Sequence, residues 1–525
     1  MPNEQTASDT FPVVWDDPAN AELTWQFDIT HTPDVVTPLG YDLFYGPFIT
    51  GFGSVRICQQ NYYVYVHSAP WPERGVGMEV EVERLIRGAR RFRDQVVPEV
   101  TEHAERYRLR DFDALPDAEL VRELDALPAL RLRQGELHEV SLTPYGIGMT
   151  HLIDTYKELV ADDELAAVRL VQGHGNKSTE AGEALWRLSR VAASIPAVRE
   201  RLLGVDMATA KDGLAALQRE LAAAPFLEAL SAFLEAYGWR SDLFELATPA
   251  WAEDPSIPLC QLRAYLELDG YDPAVERARL DEERDAFVRE TLAPLAPEAQ
   301  ARLRAAIEGG RHVVCLQEDH NFYIDQRAAT LPRRLILAAG RRLVAKGALA
   351  DAADVFYLRA DELRAALEGA GDAASAVERH KAAMARWAQV TPPPTIGAPP
   401  AAGEDGTSPG GVLSRGERPN ELTGNGASSG VARGPARVLM SLTEADRLRP
   451  GDVLVSRTTM PAWTPLFAVA TAVVTEAGGV LSHAAVVARE YGIPAVLAVT
   501  NATRLIPDGR LIEVDGDRGV VRLLA

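Results

Sequence analysis

The segment from Thr475 to Val499, TEAGGVLSHAAVVAREYGIPAVLAV, sets one histidine among residues suited to phosphoryl chemistry. A β-branched run ends at about Thr475, and Gly478 and Gly479 then permit a tight turn with unusual dihedrals. Ser482 stands at the N-cap position and His483 opens a helix whose residues Ala484, Val487, Ala488 and Tyr491 form one apolar face. An imidazole at that point lies beside unpaired backbone N–H groups and the positive end of a helix dipole, both of which favour an anion. A neutral imidazole nitrogen is also a good nucleophile near pH 7. The residues describe a place where a phosphoryl group is accepted and held; a capped or packed histidine is the commoner meaning of such a position taken alone.

Delivery of that group to a hydroxyl needs a base and cations for the moving charge. Glu318, Asp319 and His320 cluster in QEDHNFYIDQR, with Asp325 and Arg327 close by. This density supplies both functions, or else is simply a solvated helix start. His31 lies near Thr37 and Pro38 in a segment that is polar yet aromatic, and faces the pocket or is a satisfied structural histidine. Lys177, in GHGNKSTE, is a candidate phosphate contact or an exposed turn lysine. Trp25, Phe44, Tyr45 and Phe322 point to a small, partly aromatic acceptor, although aromatic residues usually belong to a core. Cys58, Cys260 and Cys315 are far apart and form no CxxC pair; they read as reduced thiols, and no metal-ligand set is called from the sequence.

The elements that must position these residues divide in two. Before about residue 390 the pattern is mostly helical: Met78 to Val97, Asp162 to Tyr237, Pro273 to Ala306 and Ala328 to Leu367 carry apolar residues at helical spacing. Strands are expected around Ser54 to Val66. From Thr391 to about Gly430 Pro, Gly, Ser and Ala dominate, which reads as a linker partly stiffened by Pro392, Pro393 and Pro394, with a hinge after Gly403. Beyond it come short β-branched runs, Val453 to Val455, Ala472 to Thr475, Ala495 to Ala498, Ile512 to Val514 and Val520 to Leu523, around the helix His483 to Tyr491. The expected domains are 1–390, a linker at 391–429, and 430–525 as a compact α/β unit.

A length of 525 residues implies more than one core. The net charge of −21 argues against nucleic acid or an anionic membrane as partner. The N-terminus lacks the basic start and apolar stretch of a signal peptide, and no apolar run approaches a bilayer span, so a cytoplasmic location is expected.

The string GGVLSHAAVVAREYGIPAV, with LTGNGASSGVARGPARV and GDVLVSRTTMPAWTPLF ahead of it, resembles the phosphohistidine signature of the phosphoenolpyruvate-utilising enzyme family over about Leu422 to Leu524. The resemblance implies that His483 is the phosphorylated residue, in a loop with Gly478, Gly479, Ser482 and Arg489, on a domain that swivels between sites. Ser482 stands where relatives often carry Thr, and either hydroxyl can cap. The region from about Phe11 to Val390 is similar to the acceptor-binding domain of rifampin phosphotransferases, through ITHTPDVVTPLGYDLFYGPF, GWRSDLFELATPAW, QEDHNFYIDQ and GALADAADVFYLRADEL. Arg240 in GWRSD resembles a family position.

No ATP-grasp region, P-loop or pyruvate-binding barrel is found. The arrangement is that of the histidine-bearing subunit of phenylphosphate synthase-type enzymes. The resemblance implies a phosphotransferase that takes its phosphoryl group from ATP and Mg2+ on a separate ATP-grasp subunit. The group would pass to a small, phenolic acceptor. An antibiotic-type phosphotransferase component and a phosphorylation-state sensor are the alternatives. The histidine domain is expected to meet its neighbour through a small, polar interface.

Overall fold

In the computed structural model, which describes residues 11–68, 81–242, 245–268, 270–399 and 420–524, the short strands after residue 420 build an eight-stranded sheet near the C-terminus. Its strands, numbered with those of the N-terminal sheet, are β5 (Glu421–Thr423), β6 (Asn425–Ser428), β7 (Val431–Val438), β8 (Val453–Ser456), β9 (Ala472–Thr475), β10 (Ala495–Leu497), β11 (Leu511–Asp515) and β12 (Val520–Leu523). The order is β5-β12-β11-β7-β8-β9-β10-β6. The run β7-β8-β9-β10 is parallel, and the remaining pairs are antiparallel.

The parallel strands β8, β9 and β10 are apolar on both faces, as strands covered on both sides must be. Val453, Val455, Ala472, Val474 and Val496 join one cluster with Ile512 and Val514. Leu454, Val473 and Leu497 face the other way, into a cluster with Trp463, Phe467 and Val487. That second cluster also contains Leu185, Phe226, Trp251 and Tyr265, which come from the helices Lys177–Ser194, Ala224–Tyr237 and Ser256–Glu267 and the loop between the last two. The C-terminal sheet and these helices therefore share one hydrophobic core. Gly182 permits the approach: a Cβ there would collide with the Tyr491 hydroxyl. The expectation of a small, polar interface is overturned at this seam, because the outward face of β8–β10 is as apolar as the inward one and needs cover.

The seam with the rest of the N-terminal region is mixed, with Leu481 packed against the N-terminal core and polar pairs beside it. Arg457 pairs with Asp34 at 2.8 Å and donates to the Pro33 carbonyl. The Tyr145 hydroxyl donates to the Leu481 carbonyl at 3.1 Å, and Glu490 accepts from the N–H groups of Gly173 and Gly175.

The N-terminal region is mainly helical, with its own core around Leu39, Phe92, Leu152, Ile324 and Phe356. Its longest element, Asp117–Leu159, runs for 43 residues through Pro128 and Pro144. Those prolines and the run TPYGIGMT hid it from the periodicity reading. A four-stranded antiparallel sheet, β2-β3-β1-β4, comprises β1 (Thr24–Phe27), β2 (Val55–Gln60), β3 (Tyr63–Ser68) and β4 (Thr395–Gly397). β4 lies within the segment read as linker, and the carbonyls of Pro393 and Pro394 accept from the Tyr65 hydroxyl and the Phe27 N–H. Residues 395–397 thus belong to the first sheet and 421–428 to the second, while the hinge placed after Gly403 lies outside the described residues. Among the described residues no helix is long and apolar enough to cross a membrane.

Candidate phosphohistidine site and acceptor cavity

His483 is the first residue of the helix His483–Tyr491, fed by β9 through a loop in which Gly478 holds φ = 116°, a conformation L side chains rarely adopt. A Cβ on Gly478 would also lie 2.8 Å from the Ser482 hydroxyl. Arg489, buried on the same helix, donates from Nη1 to the carbonyls of Ala427 and Val480, both at 2.8 Å. It ties the loop to β6. Ser482 occupies the N-cap position, but its hydroxyl makes no capping hydrogen bond; it lies buried without a partner and lines the cavity described below.

Nδ1 of His483 sits 2.8 Å from Oε2 of Glu318, whose side chain is fully buried. The same oxygen accepts from the Ser178 hydroxyl at 2.6 Å. Ser178 is itself placed by Asn176, whose side chain caps the helix Lys177–Ser194. Burial pushes the Glu318 carboxyl up, but His483 and the Ser178 hydroxyl outweigh it and hold the group below its ordinary value. A carboxylate at Nδ1 fixes the proton there and leaves Nε2 as the nucleophilic nitrogen. Nε2 is buried and has no hydrogen-bond partner.

His483 lines a cavity of about 370 Å³ between the two regions. Phe44, Phe48 and Phe52 give it an aromatic wall, and Thr458, Thr459 and Ser482 line it from the C-terminal side. Two polar groupings face it. In the first, Asp28 accepts from His31 Nδ1 at 2.9 Å and from the Tyr45 hydroxyl. Burial raises the Asp28 carboxyl, and the charge and hydrogen bonds of His31 and Tyr45 more than reverse that. In the second, Nε2 of His138 and Nε2 of His320 approach the same oxygen of Asp325, at 3.5 and 3.3 Å. Fully buried Arg131 lies over Phe44, 3.9 Å from its ring centre, and burial lowers its guanidinium to about 9.

Two family models match. Residues 448–519, which include His483, match the mobile domain of phosphoenolpyruvate-utilising enzymes. Residues 139–318, which end on Glu318, match the rifampicin phosphotransferase fourth domain. The chain thus resembles the phosphoenolpyruvate-utilising enzyme family in its mobile domain and the rifampicin phosphotransferases in the region before it. It is similar to a chondramide synthase of Chondromyces crocatus, 34% identical over 98% of this chain and 14% of the relative. It is similar also to an uncharacterised phosphotransferase of Bacillus subtilis, 30% identical over 76% of this chain and 48% of the relative. A rifampicin phosphotransferase of Streptomyces sviceus is 30% identical over 71% of this chain and 43% of that protein. The chain spans less than half the length of each of these relatives.

Seen against the two matched regions, the residues named from sequence fall into two groups. Glu318, His320, His31, Gly478 and Ser482 are brought to His483 or its cavity. Gly479 lies in the same loop with open space around its Cα. The others have structural work elsewhere. Thr37 caps the turn at Pro38 and donates to Glu245. Lys177 pairs with Glu180 at 2.6 Å, and its backbone N–H donates to Asp319. Burial raises the Asp319 carboxyl to about 6. Arg240, fully buried, joins the two regions by donating to the carbonyls of Pro461 and Lys177. Arg327 pairs with Glu105. Of the aromatics, Phe44 and Tyr45 line the cavity, Trp25 packs with Phe11 and Tyr65, and Phe322 lies beneath Arg240. His138, Asp28 and Arg131 were missed: His138 meets Asp325 and Arg131 meets Phe44 only through the fold, while Asp28 stands three residues from His31 and was passed over beside it.

Proposed function

We propose that this chain is a phosphotransferase component in which Nε2 of His483 takes a phosphoryl group from ATP and passes it to a hydroxyl of a small phenolic acceptor in the cavity. The observation that carries the reading is the Glu318–His483 pair, which holds the nucleophile at the wall of an aromatic cavity containing a second histidine–carboxylate pair. The cavity falls at the small end of the range of ligand sites, roughly 300–1,000 Å³. Convergent polar groups there favour an enzyme over a phosphorylation-state sensor.

In the first step the Nε2 lone pair attacks phosphorus and the P–O bond to the nucleotide breaks; Glu318 holds Nδ1–H when the histidine is docked at the cavity. ATP and Mg2+ belong to a separate ATP-grasp unit. In the second step the acceptor hydroxyl gives its proton to His31, whose Nδ1 is held by Asp28, and the acceptor oxygen attacks phosphorus. The Nε2–P bond breaks and its electron pair returns to the imidazole. The Phe44, Phe48 and Phe52 wall suits a phenol ring.

The test is to incubate the full chain with an ATP-grasp partner, labelled ATP and a panel of phenols. Acid-labile, base-stable label is expected on the wild type and not on His483→Ala, with product formed only by the former. Equal turnover by His483→Ala would overturn the reading.

A further inference from the structure

His138, His320 and Asp325 form a buried two-histidine, one-carboxylate set to which the phosphotransfer reading gives no role. Three separate elements bring them together. His138 comes from the middle of the helix Asp117–Leu159, and His320 ends the helix Leu316–His320. Asp325 lies in the π-helical stretch Asn321–Arg327. The wider π turn sets residue i+5 over residue i, and so places Asp325 beside His320. The three ligand atoms lie within 4.8 Å of one another.

The hydrogen bonding of His320 decides what that set can hold. Its Nδ1 lies 2.7 Å from the Leu316 carbonyl, so Nδ1 carries the proton. Its Nε2 faces the carboxylate oxygen of Asp325 at 3.3 Å, an approach that needs either a proton on Nε2 or a cation held between the two. Nε2 of His138 is directed at the same oxygen from 3.5 Å, and the other Asp325 oxygen is buried without a partner. Ligand atoms about 2.0–2.1 Å from a tetrahedral ion are separated by about 3.3–3.4 Å, and these spacings match it. A ligating histidine that donates its far N–H to a backbone carbonyl is the arrangement that fixes a metal-binding tautomer. The His138 ring is held flat against Phe52, with centroids 4.6 Å apart.

We propose that His138, His320 and Asp325 bind a single divalent ion of the zinc class, with an open position facing the cavity. Nitrogen ligands disfavour Mg2+, which separates this ion from the one that accompanies ATP. Three protein ligands leave room for an oxygen donor, and all three residues line the cavity that His483 also lines. The ion would bind and polarise the acceptor oxygen; that role, unlike the binding itself, rests on the phosphotransfer reading.

The experiment uses the full chain, stripped with a chelator and titrated with Co2+ as a spectroscopic probe for Zn2+. One equivalent is expected, with ligand-field bands and no thiolate charge-transfer band, which sets the site apart from Cys58, Cys260 and Cys315. His138→Gln and Asp325→Asn should each weaken binding more than about 100-fold, since they remove a direct ligand. His483→Ala should bind as the wild type does. If His138→Gln misfolds, Asp325→Asn and the Zn2+-induced rise in wild-type Tm serve instead. Absence of saturable Co2+ binding, or equal affinity in a folded ligand variant, would overturn the site. A chain that passes phosphoryl to an acceptor yet binds no Co2+ would overturn the metal and leave the transfer reading standing. A chain that binds Co2+ through His138 but never labels His483 would do the reverse.

Discussion

Glu318 and His483 stand 165 positions apart in sequence, in different regions of the fold, yet meet at 2.8 Å through Oε2 and Nδ1. Because the carboxylate is fully buried, it has few ways to satisfy its charge; His483 and Ser178 are the partners of that oxygen. Breaking one partner of such a pair leaves the other desolvated and uncompensated. The docked position of the histidine is therefore written into the N-terminal region.

Glu318→Gln keeps the size of the side chain and removes the charge that fixes the Nδ1 proton. Phosphoryl delivery to the acceptor should fall by up to about 10⁴-fold, the loss seen when an orienting carboxylate is neutralised. Ser178→Ala should cost less than about tenfold, because His483 still holds the same oxygen. The check is single-turnover chase of label from the phosphoenzyme into a phenol. Wild-type chase by Glu318→Gln would remove the carboxylate from the chemistry.

His31→Gln should separate the two half-reactions. Labelling of His483 should proceed at the wild-type rate, while chase of the label into a phenol slows by about 10²–10⁴-fold, the contribution of a positioned base. Single-turnover chase of the isolated phosphoenzyme measures this directly. A loss in labelling with normal chase would assign His31 to the wrong step.

The Asp28–His31 pair should also leave a mark on stability. The Asp28 carboxyl is held below its ordinary value, so its contribution is present above the unfolded carboxylate pKa of about 4 and is lost as pH falls through the folded value. The His31 imidazole is raised by the same pairing, so its share is present below about 6.5 and is lost as pH rises through its folded value. Its side chain is 51% exposed, and solvent screening keeps that share small. Asp28→Asn should therefore be least stable relative to wild type between about pH 4 and 6.5, by about 1–3 kcal/mol, with the gap closing toward pH 3. Urea midpoints across that range provide the measurement, and a gap that widens on acidification would contradict the pairing.

What was legible in the sequence was local. The strand, glycine turn and helix around His483 are contiguous, so one stretch of residues reveals them, and β8, β9, β11 and β12 announce themselves as short β-branched apolar runs. β5, β6 and β7 did not, because ELT, NGAS and VARGPARV owe their pairing to distant strands and not to propensity. The same logic governs the site. Glu318 and His320 were visible as a dense acidic cluster, but which one faces His483 depends on how the short helix Leu316–His320 is rotated. His138 sits in a proline-interrupted helix and gains meaning only beside Asp325. Lys177 looked like a phosphate contact and Arg327 like a cation for the moving charge, since a basic residue near polar neighbours reads alike whether it binds substrate or ties two elements together.

The shared core bears on how His483 travels. Phe467 and Leu454 from the C-terminal region are fully buried in one cluster with Leu185, Phe226 and Trp251 from the helices. A C-terminal sheet that swung away alone would expose that cluster to water at a cost of roughly 25 cal/mol for each Å² uncovered. By contrast, the seam that carries His483, Leu481 and Arg457 adds to the apolar contact of Leu481 a set of hydrogen bonds and ion pairs, which water can replace. We expect the travelling body to include the helices Lys177–Ser194, Ala224–Tyr237 and Ser256–Glu267 together with the sheet. Phe467→Ala should then destabilise helices and sheet together, by about 3–5 kcal/mol, in one transition. Hydrogen exchange read segment by segment is the measurement. If protection in β8–β10 falls while that of Ala224–Tyr237 is unchanged, the two do not form one unit. Shortening the chain within 400–419 should slow turnover only if the body moves at all, and normal turnover by that variant would mean that the partner comes to His483 instead.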